Sequence, residues 1–162
     1  MLRRVLYFAY GSNMYEPRMR ERIGSAKFQD TVVLDDYRLH FNKLGQDSSA
    51  KCNIVETPGQ SVFGVLYALS GHQLELLDQV EGPDYQRQLV TVCSLNHGRV
   101  HRAEAFTALS HAITDALKPA SWYCDMVIAG AEMHDLPSDY VAALRKVSST
   151  ASQQKIPETE NS

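Results

Sequence analysis

Apolar positions up to Ala108 include short runs rich in β-branched and aromatic residues, a pattern that predicts strands at Arg3–Tyr10, Thr31–Phe41, Asn53–Glu56, Val62–Ala68, Gln86–Leu95 and Val100–Ala108. Turn residues separate them, notably Pro58-Gly59 and Asn96-His97-Gly98. Helical spacing appears at Glu16–Ile23, His72–Glu81, Ser121–His134 and Ser138–Lys146. Strands and helices do not alternate as a regular βαβ series. This argues against a doubly wound sheet and for an α+β fold, with a small barrel flanked by helices as one form of it. One domain is expected over residues 1–147, and the Ser-, Thr-, Gln-, Pro- and Glu-rich segment 148–162 reads as a disordered tail.

The segment "SGHQLELLDQVEGPDY", residues 70–85, carries the most information. Ser70 and Gln73 fit a capping box, so a helix begins near Gly71. Leu74 and Leu77 share one stripe, and Glu81 falls on that same stripe, where a core residue belongs. Gly82 and Pro83 forbid continuation, which puts Glu81 in the last turn. Burial and the negative helix end both favour a protonated carboxyl, the character a general base working near neutral pH needs. The pattern alone leaves a second reading, in which Glu81 turns out to water or caps a neighbouring loop. Tyr85, four residues on, has two readings as well: a phenol pointing back to donate to the carboxylate, or a half-buried strand aromatic. Asp78 and Glu75 read as solvated-face residues.

Near the N-terminus, "YFAYGSNM" at 7–14 is a strand stopped by Gly11, Ser12 and Asn13. Such a turn exposes successive backbone N–H groups that suit a small carboxylate or a developing oxyanion. It fits neither a dinucleotide fingerprint, a Walker loop nor a nucleophile elbow, and Ser12 lacks an evident His and Asp pair. The polar stretch "KLGQDSSAKC", residues 43–52, reads as a plain surface loop, with a place beside a ligand as the alternative.

Charge narrows the partners. The net charge of −3 gives no basic field for a phosphate backbone, which disfavours nucleic acid and favours a small molecule. No run approaches the ~20 apolar residues of a membrane span and no signal-peptide pattern is present, so a cytoplasmic protein without membrane association is expected. Three separated cysteines imply reduced thiols, and six histidines form no clustered ligand set, so neither metal nor cofactor is expected. Trp122, Tyr123, Met126, Val127 and Met133, at helical spacing, read as the core face of a helix.

Taken together, "YFAYGSNM", "SVFGVLYALS", "LDQVEG" followed by Tyr85, and "AGAEMHDLPSDYVAAL" resemble the gamma-glutamylcyclotransferases, in order over about residues 5–146. The resemblance implies a small mixed β-barrel with flanking helices, and release of 5-oxoproline from a small-molecule gamma-glutamyl substrate as its own α-amine attacks the γ-carbonyl. It assigns Glu81 as the catalytic proton carrier, Tyr10, Gly11, Ser12 and Asn13 as the turn that holds the glutamyl group, and Tyr85 and Tyr123 as tyrosines beside the site. No cofactor is implied. Relatives are often dimers, so a homodimer is one assembly it allows. Residues 42–52 depart from the family pattern, and they belong to the segment that would select the leaving amine. Two other readings stay open: a gamma-glutamylamine cyclotransferase or biosynthetic deprotecting enzyme of the same superfamily, and a non-catalytic gamma-glutamyl-binding module.

Overall fold

The structure, a computed structural model, describes residues 4–149. The expected disordered tail therefore lies, from residue 150 on, outside the described residues. Five strands, β1 (Arg4–Ala9), β2 (Lys27–Leu44), β3 (Ala50–Ser70), β4 (Tyr85–Ser94) and β5 (Val100–Ala108), close into a barrel in the order β1-β3-β2-β4-β5. Neighbours are antiparallel except where β1 meets β5 in parallel at Tyr7 and Glu104, which makes the barrel mixed. Among the described residues, four α-helices accompany it: α1 (Glu16–Ile23), α2 (Gly71–Glu81), α3 (Ser121–Met133) and α4 (Ser138–Arg145). The α+β barrel expected from the sequence is the fold observed. Among the described residues, no helix is long and apolar enough to cross a membrane.

Two strands expected as separate, Asn53–Glu56 and Val62–Ala68, are one: β3 runs through Pro58-Gly59. Asp35 pairs with Ser61 and Tyr37 with Glu56, so residues 57–60 stand opposite Asp36 alone. Asp36 and Gly59 both take positive φ, and the Asp36 carboxylate accepts the Gly59 N–H at 3.0 Å. The turn signal is genuine, but it makes a bulge inside a ladder and does not end the strand. Further irregularities at Phe28/Asp30 and Phe41/Lys43 break the register of the long β2–β3 hairpin. The segment 43–52 is consequently strand on both sides of a short turn at residues 45–49, which corrects the reading of a plain surface loop.

The core fills the barrel and the seam beneath the helices, with Phe8, Val32, Val62, Val65, Leu66, Leu69, Val92 and Met126 all enclosed. α2 forms as its sequence dictates. Ser70 Oγ accepts the Gln73 N–H at 3.1 Å, and Gln73 Oε1 accepts the Ser70 N–H at 3.0 Å. Its Leu74 and Leu77 stripe is buried, each leucine contributing roughly 1.5–3 kcal/mol. Gly82 then adopts φ +82° and donates its N–H to Asp78 O, ending the helix at Glu81.

α3 lies against the turn that follows β1. A Cβ on Gly130 would sit 2.7 Å from both Met14 Cβ and Tyr15 N, so only glycine permits this approach. Trp122, Tyr123, Met126 and Val127 are buried as expected, whereas Met133, in the last turn of α3, is 44% exposed.

Candidate active site

A cavity of about 500 Å³ opens where the end of β1, the tip of the β2–β3 hairpin, the C-terminus of α2 and the start of α3 converge. Tyr10, Gly11, Ser12, Asn13, Glu81, Tyr85 and Tyr123 all line it, so the structure brings together every residue singled out from the sequence. The fold explains each placement. The single 3-10 turn Ser12–Met14 bonds Met14 N to Gly11 O and Tyr15 N to Ser12 O, leaving the Ser12 and Asn13 N–H groups without an acceptor inside the turn. Asn13 donates from Nδ2 to the Tyr7 hydroxyl at 2.9 Å, and its carbonyl accepts from Tyr67 at 3.2 Å. Among the described residues, the Asn13 side-chain oxygen is buried without a hydrogen-bond partner, an acceptor available to a ligand.

Glu81 is sheltered, as the stripe implied, but it is not alone. Arg22, on α1, brings Nη1 to 2.7 Å from Glu81 Oε1, with side-chain exposures of 8% and 15%. The guanidinium supplies the opposite charge to a carboxylate that its place on the apolar stripe shelters from water. Nothing in the α1 sequence marks Arg22 as a partner, because the contact spans 59 positions. Asp47, the other carboxylate at the cavity, is committed to Ser49 and Lys51 and its side chain is more exposed.

The aromatic wall is held by hydrogen bonds to backbone. Tyr10 donates to Phe106 O, and Tyr123 accepts the Cys52 N–H at 3.0 Å. Tyr85 donates to Cys52 O at 2.7 Å, so its phenol serves the hairpin and does not donate to Glu81, correcting the first of its two readings. Burial raises the pKa of Tyr7, Tyr10, Tyr85 and Tyr123, which keeps these phenols neutral. Burial likewise pushes the Cys52 thiol up to about 12, an inert wall beside Gly11.

Four cations, Arg18, Arg22, Lys43 and Lys51, line the cavity against the two carboxylates of Asp47 and Glu81. Although the chain as a whole is acidic, its cavity carries the field that an anionic ligand needs. Lys43 and Lys51 come from the hairpin tip, where the sequence reading preferred a bare loop. The missed signal was the return of small or apolar residues at Ala50 and Cys52.

Comparison with known proteins gives concordant results. A family model described as "AIG2-like family" matches residues 61–144. The bovine gamma-glutamylcyclotransferase is 31% identical over 150 residues, covering 88% of this chain and 78% of the bovine one; the human protein of that name is 29% identical with the same coverage. A solved structure titled "Gamma-glutamyl cyclotransferase" superposes with a TM-score of 0.86 at 26% identity, over 96% of this chain and 95% of that one. YkqA from Bacillus subtilis shares the fold, with a TM-score of 0.71 at 22% identity over 91% of this chain and 56% of its own.

Proposed function

Because the chain belongs to the AIG2-like family and, within it, to the gamma-glutamylcyclotransferases, we propose that it converts a gamma-glutamyl compound to 5-oxoproline and a free amine or amino acid, with Glu81 as the proton carrier. The observation that carries this reading is the cavity itself. It joins one sheltered carboxylate to a turn with spare N–H donors.

The chemistry asks little of the protein beyond pose and protons. In the reaction, Glu81 takes a proton from the substrate α-ammonium, and the freed amine attacks the γ-carbonyl carbon. The new C–N bond closes a five-membered lactam, the γ-carbon's bond to the leaving nitrogen breaks, and Glu81 returns its proton to that nitrogen. The attacking nitrogen's second proton passes to the departing amine as well, so the lactam keeps one N–H and the amine leaves as an ammonium. No water is consumed. Attack within one molecule gains its advantage from proximity, provided the chain is held folded. The Tyr10–Asn13 turn supplies that hold, and its N–H groups suit the charge that develops on the γ-carbonyl oxygen. Neutral Tyr7, Tyr10 and Tyr85 wall the site without competing for the proton.

The test is product analysis with gamma-glutamyl-alanine in isotopically labelled water. Cyclisation predicts equal amounts of 5-oxoproline and alanine, with no label in the 5-oxoproline. Labelled glutamate would mean hydrolysis, and absence of any release would overturn the proposal.

A further inference from the structure

We infer that Lys43 and Lys51 form an anion subsite for a carboxylate on the leaving group, so that the protein selects gamma-glutamyl amino acids over gamma-glutamylamines by charge. This rests on the cyclotransferase reading above and concerns the half of the substrate that departs.

Lys43 and Lys51 are direct partners in the antiparallel β2–β3 ladder, so their side chains leave the same face, and both line the cavity. Like charges placed opposite one another on a sheet repel. Lys51 has partial compensation: its Nζ lies 3.2 Å from Asp47 Oδ2 and 4.7 Å from the ring centroids of both Trp122 and Tyr123. Lys43 has less. It is only 7% exposed and its Nζ sits 4.8 Å from the Tyr85 ring centroid; among the described residues, no carboxylate lies within ion-pair distance of that ammonium and it makes no side-chain hydrogen bond.

An ammonium on the cavity wall with one aromatic face beside it and, among the described residues, no anion within reach is a ready counter-charge for a ligand carboxylate. Asp47 neutralises one of the two lysines and leaves a surplus positive charge. The field at Lys51 agrees: burial lowers its pKa, Asp47 raises it, and the positive charges of Arg18 and Lys43 lower it further. The Glu81–Arg22 pair comes from α2 and α1, whereas these lysines come from the hairpin. The glutamyl group, with the Tyr10–Asn13 turn and Glu81 to serve it, leaves the hairpin lysines for the other end of the substrate. Trp122 and Tyr85 flank them with surface for a short side chain.

The experiment compares kcat/KM for gamma-glutamyl-alanine and gamma-glutamyl-ethylamine, which keeps the glutamyl carboxylate and lacks only that of the leaving group. The wild-type protein is expected to prefer the alanine compound by about tenfold or more, with the gap narrowing as salt is added. Lys43→Met is expected to bring the ratio near unity, chiefly by raising KM for the alanine compound, while Lys43→Arg retains most of the preference. Equal turnover of the two compounds by the wild type overturns the inference without a variant and leaves the cyclotransferase reading standing. So does a Lys43→Met protein in which both substrates suffer alike, since the lysine would then serve the glutamyl half. Release of 5-oxoproline from neither compound overturns the cyclotransferase reading and the subsite together.

Discussion

Arg22 Nη1 and Glu81 Oε1 lie 2.7 Å apart in an ion pair that joins α1 to the last residue of α2 and faces the cavity. The pair fixes where the carboxylate points, and it ties Glu81 to the helix that follows the Ser12–Met14 turn.

The pairing predicts strong thermodynamic coupling. Arg22→Gln strands a sheltered carboxylate and should lower the unfolding free energy by about 3 kcal/mol, the low end for a broken buried pair because water reaches one edge. In a Glu81→Gln background the same substitution should cost about 1 kcal/mol, a coupling of about 2 kcal/mol. Urea unfolding of the four proteins measures it, and equal losses in both backgrounds would show that the pair carries no net interaction.

Gly130→Ala tests how tightly α3 holds the turn that carries Ser12 and Asn13. Alanine inside a helix is ordinarily favourable by roughly 0.5–1 kcal/mol. Here the added methyl meets Met14 Cβ and the Tyr15 backbone nitrogen at 2.7 Å, and backbone cannot step aside as a side-chain tip would. Overpacking of about 1–3 kcal/mol should prevail, with a rise in KM as the turn is displaced. Thermal unfolding and steady-state kinetics read both effects; a more stable protein with unchanged KM would contradict the packing argument.

Local signals were legible wherever their cause was local. Ser70, Gln73 and Gly82 mark the ends of α2 because capping and positive φ act within a few residues. Glu81 stood out because a carboxylate occupied a leucine's stripe. Arg22 did not stand out, since its partner is supplied by a helix that follows three strands. Pro58-Gly59 misled for a different reason: a turn sequence and a bulge sequence are alike, and only the Asp36 partner across the ladder decides between them. Lys43 and Lys51 lie in the stretch that reads as a surface loop, since a lysine is seldom buried, and their setting depends on Tyr85, Trp122 and Tyr123 arriving from later in the chain.

His134 gives the turn a dependence on pH. Its Nε2 lies 3.0 Å from Met14 O, the ring stacks on Phe28 at 5.1 Å, and burial lowers its pKa despite that hydrogen bond and the charges of Glu16 and Asp135. The folded state therefore binds this proton less readily than the unfolded chain. As pH falls through the ordinary histidine value near 6.5, the unfolded state protonates first and stability is lost, until the folded pKa is passed. Urea unfolding between about pH 7.5 and pH 5.5 should show a shallower decline for His134→Gln than for the wild type. Parallel declines would mean that His134 does not contribute.

The central claim is that Glu81 moves the proton. Its most direct test is the rate of 5-oxoproline release from gamma-glutamyl-alanine by Glu81→Gln, with circular dichroism confirming an intact barrel. Glutamine keeps the size and polarity of the side chain but cannot accept the ammonium proton, so release should fall by about a hundredfold or more. A folded Glu81→Gln protein that releases 5-oxoproline at the wild-type rate would contradict the assignment.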